Sequence, residues 1–454
     1  MGSDGTLIKL GDLVAHKKGF AFKSVDYQST GIPVVRVSNF TDNSISPDDL
    51  KFVSEEVASK NPEVALTEND IVVATVGSWP TNPASVVGRT ISVPAWASGA
   101  LMNQNSVTLR ARSKNQVDQR FLYFCMKSAD FATHAVSKAQ GSANQASITL
   151  DAIFSFPVWW PDSAARQDIV AILDSLDSRI NLLRETNATL EAIAQALFKS
   201  WFIDFDPVHA KMEGRLPEGM DEATAALFAD EMEQSELGMV PMGWHATKVA
   251  NVAEVVKGKS YSSKDLLDSH HTALVTLKSF ARGGGFRMDG FKPYSGGYKP
   301  SQVVQPGDLV VAYTDVTQAA ELIGKPAIVV GISEHSTLVA SLDVGIVRPD
   351  ESKCGRQFLY GLFKTEAFQA HTLAHTSGTT VLHLAKDGVG SYVFPCPPHQ
   401  LVLTFEAIAA VLAERRQSNT DQARTLTHLR DTSLPRLISG QLRLDDVTEV
   451  LEAA

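Results

Sequence analysis

The sequence predicts an α+β protein made of two tandem domains of mixed α/β fold with curved sheets, separated by two long helices that form an antiparallel coiled coil. Three observations predict this architecture. A series of short motifs occurs twice in the same order, strand-like and helix-like segments alternate within each copy, and a long segment with heptad spacing follows each copy. A chain of 454 residues is long enough to form several hydrophobic cores.

The repeat divides the chain into five expected segments. They are a first module at residues 1–160, a first helix at 163–202, an acidic connector at 203–241, a second module at 242–398, and a second helix with a C-terminal tail at 400–447. The matching motifs are separated by roughly 236 to 240 residues. The pairs are Lys9–Leu13 with Lys248–Val252, Lys18-Gly19 with Lys257-Gly258, Asn69–Ala74 with Gly307–Ala312, Phe121–Tyr123 with Phe358–Tyr360, Gly141-Ser142 with Gly378-Thr379, and Phe156-Pro157 with Phe394-Pro395.

Both modules mix strands with helices. Short runs rich in β-branched residues predict strands at Ile71–Val76, Leu309–Tyr313 and Ala327–Val330. Apolar residues at helical spacing predict helices at Phe121–Ala139 and Phe358–His375. Each module is therefore expected to be a compact α+β domain with prominent polar loops.

The segment that follows each module has heptad spacing. From Ser163 to about Trp201 the predicted core positions hold Leu173, Leu176, Ile180, Leu183, Leu190 and Leu197, and Asn187 interrupts one series as a register-fixing polar residue. The second segment gives Phe405, Ile408, Leu412, Leu426 and Leu429, and Pro435 followed by Gly440 should end it. A helix of about 37 residues would span about 55 Å. Pairing within the chain, antiparallel and with a module at each end, is favoured over a coiled coil between two chains.

The negative charge is concentrated in one segment. The chain has a net charge of -10, and between Phe202 and Pro241 ten acidic residues face two basic ones. The modules themselves are close to neutral, which permits DNA binding without arguing for it. Three cysteines without paired spacing, together with no apolar run of membrane-spanning length, lead us to expect a cytoplasmic protein with no metal site.

Two stretches carry a resemblance to a known family. They are Phe198–Val208 (FKSWFIDFDPV), followed by Ala210-Lys211 and Glu213-Gly214-Arg215, and Leu434–Leu442 (LPRLISGQL). With the alternation of two modules and two helices, they make the chain resemble the specificity subunit of a type I DNA restriction-modification enzyme. The resemblance covers essentially the whole chain.

The resemblance implies a function. Each module would be a target-recognition domain for one half of a bipartite, asymmetric sequence in double-stranded DNA. The helices would set the unread gap and dock two copies of an adenine methyltransferase subunit, with a separate motor-nuclease restriction subunit as a further partner. S-adenosylmethionine, ATP and magnesium would be bound by those partners and not by this chain.

Polar loops at corresponding places in the two modules are the candidates for base recognition, which needs amides, guanidinium groups and hydroxyls on protruding loops. In the first module they supply Trp79, Thr81, Asn82, Asn103, Gln104, Asn105, Gln140, Gly141, Ser142, Asn144 and Gln145. In the second they supply Arg282, Arg287, Thr317, Gln318, His375, Thr376, Ser377, Gly378, Thr379 and Thr380. Phosphate contacts, which position without specifying, are expected from Lys17, Lys18, Lys23, Lys138, Lys257, Lys259 and Lys278.

Other kinds of site find little support in the sequence. There is no phosphate-binding Walker loop, no dinucleotide fingerprint and no Asn/Asp-Pro-Pro-aromatic motif of adenine methyltransferases. His371 and His375 have metal-ligand spacing, but Thr372 stands where a zinc protease would have glutamate. A nuclease or methyltransferase acting alone is therefore disfavoured. A duplicated scaffold that binds protein and not DNA stays open as the alternative, because the modules are nearly neutral.

Overall fold

Short strands joined by polar turns make up most of both modules. The computed structural model describes residues 5–79, 86–142, 145–317, 319–331 and 334–441. Two compact units are present, one within Met1–Leu182 and Gln422–Ala454 and the other within Leu183–Asp421, so each long helix contributes one half to each unit. The segment boundaries expected from the sequence remain predictions.

The first unit holds the first module. Its elements in chain order are β1 (Thr6–Lys9), α1 (Leu10–Leu13), β2 (Val14–Lys18), β3 (Tyr27–Gln28), β4 (Ile32–Val35), β5 (Lys51–Val53), α2 (Glu55–Ser59), β6 (Ile71–Ala74), β7 (Val76–Gly77), β8 (Thr90–Ser92), β9 (Leu101–Met102), β10 (Ser106–Ala111), α3 (Gln116–Lys127), α4 (Ala129–Lys138), β11 (Gln140–Ser142), β12 (Gln145–Ser147), α5 (Leu150–Phe154), β13 (Pro157–Trp160) and the first half of α6 (Ser163–Phe202).

The second unit holds the rest of α6 and the second module. Its further elements are α7 (Asp206–Met212), α8 (Glu222–Ala225), β14 (Met232–Ser235), β15 (Gly238–Pro241), β16 (His245–Lys248), α9 (Val249–Val252), β17 (Ala253–Lys257), β18 (Thr272–Val275), β19 (Lys292–Pro293), β20 (Val303–Val304), β21 (Leu309–Ala312), β22 (Thr314–Asp315), β23 (Pro326–Ile328), β24 (Thr337–Ala340), β25 (Val344–Pro349), α10 (Arg356–Phe363), α11 (Glu366–Ala374), β26 (Thr376–Ser377), β27 (Leu382–Leu384), β28 (Val393–Cys396) and the first half of α12 (His399–Ile438).

The internal repeat is visible in the sheet topology. The four-stranded order β2-β10-β6-β8 of the first unit recurs as β17-β25-β21-β23 in the second. The two-stranded pair β1-β13 recurs as β16-β28, and the three-stranded order β11-β12-β7 recurs as β26-β27-β22. In the sheets β3-β5-β4-β9 and β19-β18-β24-β20, the order β5-β4-β9 recurs as β19-β18-β24, with β4·β9 and β18·β24 both parallel, and only the fourth strand differs. The β14-β15 pair belongs to the second unit. The duplication predicted from the motifs is thus confirmed as a repeat of strand order.

A strand that is buried on both faces lies in each four-stranded sheet. Side chains alternate along a strand, so Ile71 and Val73 of β6 pack in one core with the helices, and Val72 and Ala74 pack in another with the sheet of β4 and β9. In β21 the same alternation separates Leu309 and Val311 from Val310 and Ala312. These continuous apolar runs therefore predict strands with no solvent-exposed face.

Each of the two predicted module helices is a pair of helices. Ser128 ends α3 and caps α4, because its hydroxyl accepts a hydrogen bond from Phe131 N at 3.2 Å. Thr365 caps α11 in the same way through Phe368 N at 3.3 Å. Periodicity alone could not place these breaks, because apolar residues at helical spacing continue on either side of them.

The two long helices pair antiparallel. In the second unit, Asn187 of α6 donates to Thr420 Oγ1 of α12 at 3.1 Å, and farther along α6 the ring of Phe198 lies 5.7 Å from that of Phe405. Later residues of α6 thus meet earlier residues of α12. In the first unit, Arg430 Nη1 donates to Asp177 Oδ1 at 2.7 Å.

Most of the residues predicted at core positions of the long helices are buried or half-buried. Leu173, Leu176, Ile180 and Leu183 are buried and Leu190 and Leu197 are half-buried; in α12 Phe405 is buried and Leu412, Leu426 and Leu429 are half-buried. Asn187 sits in the pair as predicted, and its carbonyl oxygen accepts from Asn419 Nδ2 at 2.9 Å.

Two expectations about α12 were wrong. Ile408 is 40% exposed, because the buried stripe runs through Leu401, Phe405 and Ala409 and faces the second module. Pro435 does not end the helix, which continues to Ile438, and Gly440 follows with a φ of 72°. A proline removes one helical N–H, but buried Leu434, Leu437 and Ile438 pack in the first unit's core and hold the last turn in place.

The acidic segment is folded. It contains α7, α8 and the β14–β15 hairpin. Its Val208, Phe228 and Val240 are buried in the core of the second unit, and the ring of Phe228 packs edge-on against Trp201 at 5.1 Å. Apolar residues between the acidic ones thus anchor the segment, while the carboxylates stay at the surface. Across the described residues, no helix is both long enough and apolar enough for a membrane span.

Candidate nucleic-acid interface

Three predicted loops of the first module meet at one end of its four-stranded sheet. Gly19 N, just after β2, donates to Ser106 O at 3.1 Å at the start of β10. Thr75 N, just after β6, donates to Asn105 O at 2.8 Å. The Lys17–Gly19 segment, the turn at Asn103–Asn105 and the chain that leaves β6 are therefore neighbours.

The small sheet β11-β12-β7 brings in the fourth loop. Gly77 of β7 pairs with Ala146 of β12, and the indole N–H of Trp79 donates to Ser142 O at 2.8 Å. Trp79 and the Gln140–Ser142 strand consequently lie together at the end of β6. Lys138 closes α4 immediately before that strand.

The second module assembles its loops at the equivalent end. Lys257, the last residue of β17, pairs with Gly345, while Val344 pairs with Ala312 at the end of β21. Thr314 then pairs with His383, so β22, β27 and the His375–Thr380 loop continue from there. The predicted residues of this loop are thus placed as those of the Gln140–Ser142 region are in the first module.

The glycine-rich loop between Arg282 and Arg287 also reaches this end. Gly285 N donates to Pro326 O at 3.0 Å at the start of β23, and Arg282 Nε lies 3.2 Å from Glu321 Oε2. Arg287 N donates to Ser279 O at 2.8 Å, which places Lys278 at the base of the same loop. All the predicted second-module loops therefore adjoin one sheet end.

Asp315 is the internal support of one of these loops. Its fully buried carboxylate accepts hydrogen bonds from the N–H groups of Thr317, Leu322 and Ile323 at 2.6, 2.5 and 2.9 Å. Burial by itself would raise the pKa of Asp315, but these donors favour the charged form and hold that pKa below its usual value. Asp315 therefore fixes the loop backbone, while the side chain of the next residue, Val316, is exposed.

Exposure separates the predicted contact residues into groups. The exposed ones are Lys17, Lys18, Lys23, Gln104, Lys138, Gln140, Gly141, Ser142, Gln145, Lys257, Lys278, Arg282, Arg287, Ser377, Gly378, Thr379 and Thr380. The half-buried ones are Trp79, Asn105, Lys259, Thr317, His375 and Thr376. Asn103 is buried and donates to the Tyr27 hydroxyl at 3.3 Å, so it supports its turn. Thr81, Asn82, Asn144 and Gln318 lie outside the described residues.

The two Lys-Gly turns share a backbone constraint. A Cβ on Gly19 would stand 1.9 Å from Asn103 O, and one on Gly258 would stand 2.0 Å from Ser341 O. Both glycines permit a close parallel bridge, made by Phe20 with Asn103 and by Lys259 with Ser341. The aligned motif thus preserves a backbone approach, while the next side chain changes from phenylalanine to lysine.

Sequence reasoning missed a basic cleft beside the second of these turns. The cleft measures about 810 Å³, and besides Lys257 and Lys259 it is lined by Tyr298, Lys299 and Gln302. The run Gly296-Gly297-Tyr298-Lys299, a flexible turn followed by an aromatic and a basic residue, was the available signal. Lysines with an aromatic side chain suit a nucleic-acid backbone.

The histidine pair forms local contacts. His371 Nε2 lies 3.1 Å from Ser391 Oγ, and His375 Nδ1 lies 2.8 Å from His371 O. The two rings are tilted by 31° with centroids 4.1 Å apart. Burial, with the nearby His375, lowers the pKa of His371. In the portion of the chain that the structure describes, no group of three or more His, Cys, Asp or Glu residues could hold a metal ion.

Comparisons with known proteins give one family. Residues 3–192 match the family described as Type I restriction modification DNA specificity domain. The chain is 25% identical over 346 residues to the type I restriction enzyme HindI specificity subunit of Haemophilus influenzae, covering 65% of this chain and 71% of that protein. It is 20% identical over 347 residues to the MjaIX specificity subunit of Methanocaldococcus jannaschii, covering 74% and 71%.

A solved structure shares the fold. The crystal structure of a type I restriction-modification S subunit from M. genitalium superposes with a TM-score of 0.50 at 14% identity, covering 96% of each chain. The resemblance inferred from the sequence motifs is confirmed by these relatives.

Proposed function

Because residues 3–192 match the type I restriction modification DNA specificity domain family, and 65% and 74% of the chain align with two type I specificity subunits, we propose that this chain recognises a bipartite, asymmetric sequence in double-stranded DNA. Each module would recognise one half of the target. Specificity subunits are the non-catalytic members of these systems, and this chain takes that role.

One observation carries the proposal. In both modules the loops with base-recognising side chains adjoin the same end of the repeated four-stranded sheet. Their chemistry differs: the first end presents amides such as Gln140 and Gln145, and the second presents the hydroxyls of Ser377 and Thr379 with the guanidinium of Arg282. Two similar scaffolds with different side chains suit two different half-sites.

Recognition of two half-sites explains how near-neutral modules could give sufficient specificity. A mismatched base pair typically costs about 1–3 kcal/mol, and the costs of separated positions add. Joining two recognition domains in one chain also makes the second contact intramolecular, which raises its effective concentration. The exposed lysines would hold the phosphates and fix the register without adding sequence information.

We further propose that the long helices dock two copies of an adenine methyltransferase subunit, and that a motor-nuclease restriction subunit can join them. Ile193 on α6 and Leu403 and Val411 on α12 are exposed in the second unit, where apolar side chains on a helical surface mark a protein contact. S-adenosylmethionine, ATP and magnesium would be bound by those partners and not by this chain.

Co-expression with the candidate methyltransferase subunit, followed by genome-wide mapping of adenine methylation by single-molecule sequencing, tests this function. A single bipartite motif with a fixed gap, lost when either module is deleted, is the expected result. A stable complex that methylates no defined motif would contradict it and favour the protein-binding scaffold.

A second experiment tests the proposed link between the helices and the gap. Adding seven residues, two helical turns, to both α6 and α12 keeps the heptad phase and should lengthen the unread gap without changing either half-site. Adding seven residues to α6 alone breaks the pairing and serves as the matched control. An unchanged gap in the doubly extended chain would refute the link.

A further inference from the structure

Two valines stand at one end of the second module's three-stranded sheet, directly after β22 and directly before β27. Asp315 of β22 pairs with Leu382 of β27. Val316 follows Asp315 and Val381 precedes Leu382, so the antiparallel register places the two valines opposite each other at the next position. Their side chains are 63% and 37% exposed.

The backbone on both sides of this valine pair is held in place. Asp315 fixes the segment after β22 through its three backbone hydrogen bonds. On the other side, Gly378 approaches so closely that a Cβ there would lie 2.0 Å from Val381 O, and its φ is 107°. Valine itself has few side-chain rotamers. The exposed methyl groups are therefore presented in a fixed position, which lowers the entropy cost of contact with a partner.

The first module carries polar residues at the same two positions. Gly77 pairs with Ala146 as Asp315 pairs with Leu382, so Ser78 and Gln145 correspond to Val316 and Val381. A Cβ on Gly141 would lie 2.0 Å from Gln145 O, which repeats the approach of Gly378 to Val381. The scaffold is the same. Ser78 is buried, so the surface that the valine pair replaces is the exposed amide of Gln145.

The neighbours of the valine pair identify the kind of partner. Arg282, which pairs with Glu321, and Lys257 are exposed at this end of the sheet, and Ser377 at the end of β26 and Thr379 after it are exposed as well. Positive charge and hydroxyls suit a polyanion that carries hydrogen-bonding groups. In the DNA major groove, the apolar feature of the base edges is the 5-methyl group of thymine.

We propose that Val316 and Val381 recognise the 5-methyl group of a thymine in the half-site bound by the second module. This inference rests on the proposed function, and it adds a base feature that the polar loops do not supply. The first module, with Gln145 at the corresponding place, makes no such contact and recognises a hydrogen-bonding base edge there.

Replacing thymine by deoxyuridine tests the inference, because it removes only the 5-methyl group. The full chain, in complex with its co-expressed methyltransferase subunit, is titrated with duplexes of the mapped target in which each thymine in turn is replaced. One replacement in the second half-site should weaken binding about fourfold, the value of one buried methyl group. In the first half-site, replacing the base that lies at Ser78 and Gln145 should not weaken binding.

A double variant, V316A/V381A, completes the test. It should bind the thymine duplex as weakly as the unchanged chain binds the deoxyuridine duplex, and lose nothing more on deoxyuridine. Val25, 87% exposed in the first module, gives the matched control V25A, for which the deoxyuridine effect should be unaltered.

The outcomes of these experiments distinguish a failure of the valine assignment from a failure of the proposed function. Sequence-specific binding that no deoxyuridine replacement in the second half-site weakens, or a second half-site without an A·T pair, would overturn the valine assignment alone. Absence of any sequence-specific binding by the unaltered complex would overturn the proposed function. The deoxyuridine series uses the unaltered chain, so its result does not depend on the variants folding.

Discussion

The two modules are most alike inside their four-stranded sheets and differ most at the end where the loops meet. In both modules, one strand of the four-stranded sheet is buried on its two faces. The glycine of the Lys-Gly turn lies so close to a carbonyl oxygen that a Cβ on it would be only about 2 Å from that oxygen. At the loop end, Ser78 and Gln145 of one module correspond to Val316 and Val381 of the other. Close packing restricts the first set of positions. At the loop end Gln145, Val316 and Val381 are exposed and free to follow the ligand, while Ser78 is buried.

The attachment of each module to the long helices shows a second difference. In the second unit, Glu191 of α6 accepts hydrogen bonds from Tyr360 at 3.0 Å and Lys364 at 2.6 Å and forms an ion pair with Arg416 of α12. In the first unit, contact from the module helix is made by Arg120 of α3, which pairs with Asp174 of α6. The same helix faces are thus joined by different ion pairs.

The N-termini of the corresponding module helices, α3 and α10, are also capped differently. Asn115 caps α3 from within the module, its side chain accepting from Val117 N at 2.8 Å. Gly355 at the start of α10 offers no side chain, and Glu406 of α12 instead accepts from Phe358 N at 2.6 Å. The second module therefore relies on the long helix for an interaction that the first module makes alone.

Exchanging a module should have the largest effect. Replacement of residues 1–160 by the corresponding module of a relative with another specificity should change one half of the methylated motif completely and leave the other half intact. Methylation mapping of the exchanged chain measures this directly. Altered specificity in both halves would show that the two modules do not recognise DNA independently.

The glycines that support the recognition loops should come next. Gly141→Val should weaken binding to the first half-site, and Gly378→Val to the second, by about tenfold or more, because each new Cβ would collide with a carbonyl oxygen at a positive φ. Gly99→Val is the matched control, with a φ of 89° and no atom within 4 Å of the new Cβ. Titrations with duplexes altered in one half-site check the assignment, and equal losses at both half-sites would contradict it.

Removal of Glu191 should destabilise the second unit more than a comparable change in the first. Glu191→Ala leaves Lys364 and Arg416 half-buried without their shared carboxylate, and we expect a loss of about 2–3 kcal/mol. Asp177→Ala should cost about 1 kcal/mol or less, since Arg430 keeps its pair with Asp431. Denaturant unfolding, with hydrogen exchange of the α10 and α3 amides, would measure the stability lost by each variant. Equal losses of stability in the two variants would contradict this prediction.

The Glu191→Ala variant should also change how the stability of the fold depends on pH. Burial alone would raise the pKa of Glu191, but Arg416, Lys364 and Tyr360 hold that pKa below the usual value of a glutamate. A carboxylate with a lowered folded-state pKa stabilises the fold at pH values above its unfolded pKa, and this contribution is lost as the pH falls through the folded pKa. The stability difference between the unaltered chain and Glu191→Ala should therefore be constant at neutral pH and shrink below pH 4.5.

The smallest effect concerns the caps of the module helices. Glu406→Ala should destabilise the start of α10 by about 1 kcal/mol, as Asn115→Ala should destabilise α3. Glu406→Gln keeps an acceptor oxygen for Phe358 N and removes a carboxylate whose pKa is raised by burial, so it should be as stable as the unaltered chain at neutral pH. Hydrogen exchange at Phe358 distinguishes the two substitutions, and equal fraying in both would contradict the role of Glu406 as an acceptor.

Much of the architecture follows from local patterns in the sequence. The ordered motifs predicted the duplication, and the heptad spacing predicted two long helices and the place of Asn187 between them. Residues such as Ile71 and Leu309 could be assigned to strands because continuous β-branched runs are typical of strands buried on both faces. The loops flanking Gly141 and Gly378 were found because a glycine recurred at one place in both modules.

Other features needed the fold. Pro435 lies within α12 because tertiary packing outweighs a local helix-breaking signal, and the exposure of Ile408 depends on which helix face meets the second module. The acidic segment is ordered because a few apolar residues, Phe228 among them, find partners far away in the sequence. Neither the cap supplied by Glu406 nor the shared partners of Glu191 leaves a local signal, because each joins residues dozens to hundreds of positions apart.

The sequence by itself determined the duplication, the element types and the resemblance to type I specificity subunits, since repeats, periodicity and short motifs are properties of neighbouring residues. The tertiary structure alone decided which polar and apolar side chains share one surface. Strand register sets Val316 and Val381 next to the last β22–β27 pair, at the places that correspond to Ser78 and Gln145 of the first module. Register is a long-range property of a folded sheet, because it is set by hydrogen bonds between segments that the sequence keeps apart.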